Sequence, residues 1–266
     1  MPDYRSVLYE TEGEVAKITM NRPDQRNAIN RELAEELLDA FTRVRDEKAV
    51  KVVVLTGAGK SFCAGGDLTV LPSFDHYTIF DWLGRTGLGI VRAIAECEKV
   101  VVAKVKGHCI AGGLELALAC DLIYASERTK FGVTEITMGI LPGWGGTVRL
   151  AKSLPIFRGR EILLTGRKDY TASEIYDMGL LTRVYPDEEF DARVDEMVAV
   201  LCANPQDSLR MGKAVLNHSF EGMPWDAAMA LERESIAWLF HSEHVTNLRA
   251  IALQAIEAMK KHEQGG

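Results

Sequence analysis

Cysteine is scarce in this chain and forms no pattern. Cys63, Cys97, Cys109, Cys120 and Cys202 are odd in number, widely spaced and contain no CxxC pair. That excludes a zinc ribbon or a disulfide framework, and a reducing cytoplasm is the expected compartment. Long apolar runs are absent too: none approaches the ~18 residues of a membrane span. Met1-Pro2-Asp3-Tyr4-Arg5 lacks the charged-then-apolar pattern of a signal peptide. Positive charge is in deficit, with a formal net charge of −7, so nucleic acid is not an expected partner. Gly57-Ala58-Gly59-Lys60 lacks the GxxxxGK[ST] spacing of a phosphate loop. His241 and His244 stand i,i+3 on a surface helix with no further ligand nearby in sequence. They read as a solvated pair, and no metal is expected.

What is present is enough for a sizeable core: 266 residues, 47% of them apolar. Val15-Ala16-Lys17-Ile18-Thr19-Met20 alternates and stops at Asn21-Arg22-Pro23, which predicts a strand and a turn. Asn30 is placed to cap a helix carrying Leu33, Leu37, Leu38 and Phe41 at helical spacing. Val52-Val53-Val54-Leu55 is a short unbroken apolar run, as in a buried strand. A helical stretch from about Tyr77 to Glu96 is weakened by Gly84, Gly87 and Gly89. Val100–Val105 predicts the next strand, Gly112–Cys120 a helix and Leu122–Ala125 another strand. Strands alternating with helices predict an α/β fold with largely parallel strands. Beyond about Pro186 strand signals stop, and amphipathic helices are predicted at about 188–203, 205–219, 224–241 and 243–262. The chain therefore divides into residues 1–186, holding the α/β core and the active site, and residues 187–266, a helical part packing on the core and on a neighbouring subunit.

Two segments carry the chemistry, Ala111-Gly112-Gly113-Leu114-Glu115-Leu116 and Gly132-Val133-Thr134-Glu135-Ile136. Glu115 sits among apolar neighbours, where a charge is costly unless paired or functional. The alternative is a helix-end glutamate near the positive dipole. Glu135 by itself reads as an ordinary surface-loop residue. Gly112-Gly113 favours a helix start with free N–H groups, and Gly143 to Gly146 is either a second such start or a plain turn. Ser61-Phe62-Cys63-Ala64-Gly65-Gly66-Asp67-Leu68 follows the 52–55 strand, at the carboxyl end where ligands bind in open α/β sheets. Cys63 has no base beside it and is a poor nucleophile candidate. Asp67 reads as a hydrogen-bonding group, His108 as structural, and the Trp144 ring as either packing or narrowing a pocket. Together these parts suit proton transfer beside a carbonyl. One carboxyl gives a proton, one takes it, and backbone N–H groups hold the oxygen that becomes negative.

In this order the segments resemble the crotonase (enoyl-CoA hydratase/isomerase) superfamily over nearly the whole chain. Asn21-Arg22-Pro23 to Asn27-Ala28 is similar to its N-terminal signature. Phe62-Cys63-Ala64-Gly65-Gly66-Asp67-Leu68 and Gly112-Gly113-Leu114-Glu115-Leu116-Ala117 resemble its two oxyanion segments. Phe131-Gly132 through Glu135, then Gly139–Gly143 and Gly145-Gly146-Thr147-Val148-Arg149-Leu150, complete the set. The resemblance implies a spiral of stacked β-β-α turns with a C-terminal helical oligomerisation part. It implies an acyl-CoA thioester substrate, with coenzyme A part of the substrate and no separate cofactor. It implies an oxyanion hole from the N–H groups of Gly66 and Gly112, and a Glu115/Glu135 pair like that of the hydratases adding water syn to trans-2-enoyl-CoA. In that scheme Glu115 is the base, Glu135 the acid, and the Gly143 N–H seats the water. The alternatives are an enoyl-CoA isomerase, a specialised dienoyl or aromatic-pathway hydratase, and a non-catalytic CoA-binding relative. Gln25, Arg26, Ala64, Asp67 and Leu68 are the implied CoA contacts. The implied assembly is a homotrimer or a dimer of trimers. This chain departs from the family pattern in having Thr134 where proline is usual and Trp144 where a small residue is common. The latter predicts a restricted acyl pocket.

Overall fold

The computed structural model describes residues 4–264, and the chain divides into two compact units between Ala203 and Asn204. The first is an α/β spiral. β1 (Val7–Glu12) and β2 (Val15–Met20) form an antiparallel hairpin, and Asn30 caps α1 (Arg31–Asp46) by accepting from the Leu33 N–H. Such a cap is worth about 1 kcal/mol. Leu33, Leu37, Phe41 and Val44 recur along one stripe of α1 and are fully buried. β3 (Val52–Gly57) is buried at every position, as its unbroken apolar run predicts.

The predicted 77–96 helix is present but not regular. α2 (His76–Trp82) and α3 (Leu88–Ala95) are joined by a π turn, Leu83–Gly87. The chain then runs through β4 (Val100–Val105), β5 (His108–Ile110), α4 (Gly112–Ala119), β6 (Leu122–Ser126) and β7 (Lys130–Gly132). After a 3-10 turn at Glu135–Met138 come α5 (Gly146–Ser153), α6 (Ile156–Thr165), β8 (Tyr170–Thr171), α7 (Ala172–Met178) and β9 (Arg183–Tyr185).

The larger sheet has the order β1-β2-β3-β4-β6-β9, parallel throughout except for the opening hairpin. The smaller one is β5-β7-β8, extended by a bridge from Cys63 to Cys109. Each turn of the spiral thus visits a long strand, then a short strand, then a helix. The short strands end where the glycine-rich segments begin. β5 feeds Gly112 and Glu115, and β7 feeds Glu135.

α8 (Phe190–Cys202) belongs to this unit. It lies on β3, β4 and β6, burying Phe190, Val194 and Val198. Lys104 reaches Asp191 and Asp195 on it at 2.9 and 3.0 Å, and Lys51 Nζ donates to the Cys202 carbonyl. The structural division therefore falls after α8, beyond the change in character the sequence shows at Pro186. An amphipathic helix reads the same whether it packs on its own sheet or elsewhere, so pattern alone does not place the boundary.

The second unit comprises α9 (Gln206–Glu221), α10 (Trp225–Leu239) and α11 (Glu243–Gln264). α9 packs on α10, with the Arg210 guanidinium 5.6 Å from the Trp238 ring centre. Leu216, Phe220, Trp225, Ile236, Phe240 and Ile251 of this unit are exposed. Among the described residues no helix is long and apolar enough to cross a membrane.

Candidate active site

The site grows from the short strands. Cys63 N–H donates to the His108 carbonyl and Ile110 N–H to the Cys63 carbonyl, so segment 61–67 runs alongside β5. Ile29 N–H donates to the Gly65 carbonyl and Asp67 N–H to the Ile29 carbonyl. These two bonds straddle Gly66 and leave its N–H outside the ladder. Gly112 opens α4, where the first N–H groups have no partner within the helix. A Cβ built on Gly112 would lie 3.8 Å from Gly66 N. The two backbone donors are therefore close neighbours.

The helix start is tightly built. A Cβ on Gly113 would lie 2.4 Å from the Cys63 carbonyl oxygen, so only glycine lets α4 sit this close to segment 61–67. Ala111 just before it adopts φ 51, ψ −124, a conformation that L side chains rarely take. Its N–H donates to the Gly132 carbonyl at 2.8 Å, tying the head of α4 to the end of β7. The strain is held beside the donor pair, as is common at functional sites.

Glu115 is 4% exposed. Its Oε1 accepts from the Trp144 N–H at 2.7 Å and the Gly146 N–H at 2.8 Å. A Cβ on Gly146 would stand 3.0 Å from that same oxygen and 2.9 Å from Glu115 Cγ, which explains the glycine. Burial pushes the Glu115 carboxyl up to about 7. The Gly146 and Trp144 N–H groups pull the other way, the Glu135 charge adds to the rise, and Arg149 opposes it.

Glu135 is 6% exposed, and its Oε2 is buried without a hydrogen-bond partner. Burial raises its carboxyl too, against N–H groups of its own turn. As an isolated residue it reads as a surface glutamate. The structure buries it because β7 delivers the Glu135–Met138 turn inward before the left-handed Gly139 ends it.

The other predicted residues are placed as follows. Gly143 is half-buried, and a Cβ there would be 2.7 Å from Leu83 Cδ2. Trp144 is 4% exposed, with its ring centre 5.5 Å from that of Trp82 and its indole against Gly87. The ring is packed, the first of the two readings its position allowed. Gln25 and Arg26 are exposed, Ala64 is half-buried, and Leu68 is 60% exposed. Ala64 N–H donates to the Arg26 carbonyl, so these residues share one rim. Asp67 is engaged within the protein: Oδ2 meets Arg22 Nη2 at 2.9 Å, and Oδ1 accepts from Thr69 N–H and Oγ. Its carboxyl sits below the ordinary range, chiefly through the Thr69 hydroxyl, with Arg22 contributing.

Sequence reasoning missed Arg22, which also donates to the Ala28 carbonyl and so clamps the signature turn to segment 61–67. It gave no role to Asn27, buried at φ 57, whose side chain bonds Arg22 N–H and the Ala58 and Ser61 carbonyls. Both stand inside the quoted signature, but their partners are distant in sequence. His108 is structural as expected, with Nδ1 3.1 Å from Ser61 Oγ. Cys63 is fully buried, and that burial pushes its thiol up to about 12, which disqualifies it as a nucleophile. Among the described residues no cluster of three His, Cys, Asp or Glu side chains is arranged to hold a metal.

Two buried carboxyls and two neighbouring glycine N–H groups, carried on a spiral of β-β-α turns, place the chain in the crotonase class. Comparison with known proteins agrees. The profile of the enoyl-CoA hydratase/isomerase family matches residues 10–262, and the chain belongs to that family. It is 33% identical over 243 residues to crotonyl-CoA hydratase of Syntrophomonas wolfei, covering 90% of this chain and 92% of that protein. It is 31% identical over 242 residues to the short-chain-enoyl-CoA hydratase of Clostridium acetobutylicum, covering 91% and 92%. The crystal structure of enoyl-CoA hydratase from Thermoplasma volcanium superposes with a TM-score of 0.86 at 31% identity, covering 92% of this chain and 96% of that one. The resemblance read from the motifs and the α/β spiral are both borne out.

Proposed function

We propose that this enzyme adds water syn across the double bond of a trans-2-enoyl-CoA, giving the 3-hydroxyacyl thioester. The observation that carries the reading is the unequal dressing of two buried carboxyls. Glu115 Oε1 accepts two backbone N–H bonds, and Glu135 Oε2 accepts none. The Gly66 and Gly112 N–H groups hold the thioester oxygen, which makes the β-carbon electrophilic and stabilises the enolate. One such donor is typically worth about 2.7–4 kcal/mol. Glu115 takes the proton of a water seated by the Gly143 N–H, and the oxygen bonds to the β-carbon. Glu135 gives its proton to the α-carbon.

Burial raises both carboxyls, so the pair retains a proton towards neutral pH. With that proton on Glu135, the repulsion it exerts on Glu115 is gone, and the two N–H donors favour Glu115 as the carboxylate. The apparent values belong to the pair. All the acid/base groups come from the chain, and coenzyme A belongs to the substrate.

The exposed rim of Gln25, Arg26, Ala64 and Leu68 is where we place CoA, with Arg26 facing its phosphates. Asp67 acts there as the anchor of Arg22 rather than as a direct ligand. The exposed apolar side chains of α9–α11 support association into a homotrimer or a dimer of trimers. Five free cysteines suit a cytoplasmic enzyme.

The test follows the conjugated enoyl-thioester absorbance with crotonyl-CoA. Fast loss by the wild type is expected, falling by on the order of 10²–10⁴-fold in both Glu115→Gln and Glu135→Gln. Near-normal rates in both variants would sink the scheme. An inactive wild type that moves the double bond of a 3-enoyl thioester would make it an isomerase.

A further inference from the structure

The π turn Leu83–Gly87 carries two contacts to the loop that holds Glu115. Wide turns of this kind are frequent at functional sites. Leu83 fits against Gly143, where a Cβ would come within 2.7 Å of its Cδ2. Against Gly87 the fit is closer still. A Cβ there would lie 2.0 Å from Trp144 Nε1 and 2.2 Å from Cδ1, so the indole rests directly on the glycine backbone. Trp82 covers it from another side. At 4% exposure the ring has almost no surface left to meet an acyl chain. The main chain of the same residue is at work elsewhere. Its N–H donates to Glu115 Oε1, and its carbonyl accepts from Arg149 Nη1 at 3.1 Å.

We propose that Gly87 and Trp144 are positioning residues for Glu115: the indole, seated on the π turn, fixes the place of the Trp144 and Gly146 N–H groups and thereby the orientation of the Glu115 carboxylate. The inference rests on the reading of Glu115 as the base that activates water. A tryptophan amid glycines is then a locator for a loop that glycine alone would leave loose, and Gly87 is its matching socket. Misplacement of a reacting group by about 1 Å can lower a rate on the order of 10²-fold, so a side chain that touches no substrate can govern kcat.

The experiment compares Gly87→Ala, Trp144→Leu and the double variant as full-length protein. It measures crotonyl-CoA hydration across pH, together with thermal melting, and runs Glu115→Gln alongside. Gly87→Ala drives a methyl into the indole. Its kcat is expected to fall on the order of tenfold to a hundredfold, with KM little changed. The acid limb of kcat/KM moves upward, because the donors that favour the Glu115 carboxylate are displaced. Of the charged groups that act on Glu115, Glu135 stays in place, and Arg149, bonded to the Trp144 carbonyl, moves with the loop and adds to the same rise. Trp144→Leu loses less. The double variant matches Trp144→Leu, since the added methyl now enters vacated space, and that recovery is the signature of direct coupling.

A folded Gly87→Ala protein with wild-type kcat and acid limb overturns the inference, as does a double variant no better than Gly87→Ala. Should Gly87→Ala not fold, Trp144→Leu decides. Wild-type kcat and pH profile, or a change confined to KM and acyl-length preference, overturns it, and a lower kcat with a displaced acid limb upholds it. If Glu115→Gln keeps full activity, the hydratase scheme itself has failed. If Glu115→Gln is inactive while the Gly87 and Trp144 variants behave as wild type, only the positioning role has failed.

Discussion

The two glutamates are buried to nearly the same depth, yet the structure treats them differently. Glu115 is reached through strained backbone at Ala111 and is gripped by the loop at 142–146, which presents two N–H groups to one oxygen. Glu135 is entered through Thr134 in ordinary backbone geometry and keeps an oxygen with no partner. An oxygen that accepts two bonds favours the anion, and a buried oxygen with none is suited to carry the proton. The difference teaches that acid and base roles can be assigned by neighbouring main chain rather than by the carboxyls themselves.

The largest effect expected outside catalysis concerns stability and pH. Folding raises the Glu115 carboxyl from an ordinary 4.5 to about 7, so the folded state binds this proton more tightly than the unfolded chain does. The stability it contributes is complete below pH 4.5 and is lost as pH rises through 7. Glu115→Gln keeps an oxygen for both N–H donors and removes the charge. It is expected to be more stable than the wild type by about 3 kcal/mol at pH 8 and equal to it near pH 4, as read by urea unfolding at the two pH values. Glu135→Gln should show a gain of the same sign and smaller size. Equal gains from the two variants would erase the asymmetry.

Gly146→Ala comes next. The added methyl crowds Glu115 and Pro142 and displaces one donor, while Glu135 is untouched. Hydratase kcat should fall by about tenfold to a hundredfold, roughly 1.4–2.7 kcal/mol, with the acid limb moving up and the alkaline limb unchanged. Movement of the alkaline limb instead would mean that the loop serves Glu135. The smallest effect is at Ala111. Ala111→Gly relieves the strained conformation and is expected to stabilise the protein by about 1 kcal/mol after the greater freedom of the unfolded glycine is subtracted. A destabilised variant would show that the alanine methyl, packed against Gly65, contributes more than the strain takes away.

Much of this was legible in the chain and part of it was not, for physical reasons. The strands at 15–20 and 100–105 declare themselves because their patterns are local, and Asn30 announces α1 because capping chemistry needs only the next three residues. β5, β7 and β8 are too short to carry a period and exist only through their partners. The glycines at 112–113 and 143–146 could be read as helix starts or turns, but what lies against Gly113 and Gly146, Cys63 and Glu115, could not. Glu135 was ambiguous because burial is a tertiary property. The seat of Trp144 on Gly87 was invisible, since nothing local marks a glycine as the socket for a ring far along the chain. The asymmetry of the two carboxyls lies in N–H groups that every residue has.

The sealed thiols of the smaller layer have one further consequence. An enoyl thioester is a Michael acceptor, and polarising its carbonyl makes the β-carbon attractive to any soft nucleophile nearby, not only to water. Cys63 lies three residues before Gly66, and Cys109 three before Gly112, so both donors of the proposed oxyanion pair are carried on thiol-bearing segments. Both thiols are wholly inaccessible. Burial pushes the Cys63 thiol up to about 12, and burial, with Cys63 and Cys120 beside it, holds the Cys109 thiol well above its ordinary value. In the mechanism proposed above, the packing that makes these sulfurs good core residues would also keep both thiols from the activated β-carbon.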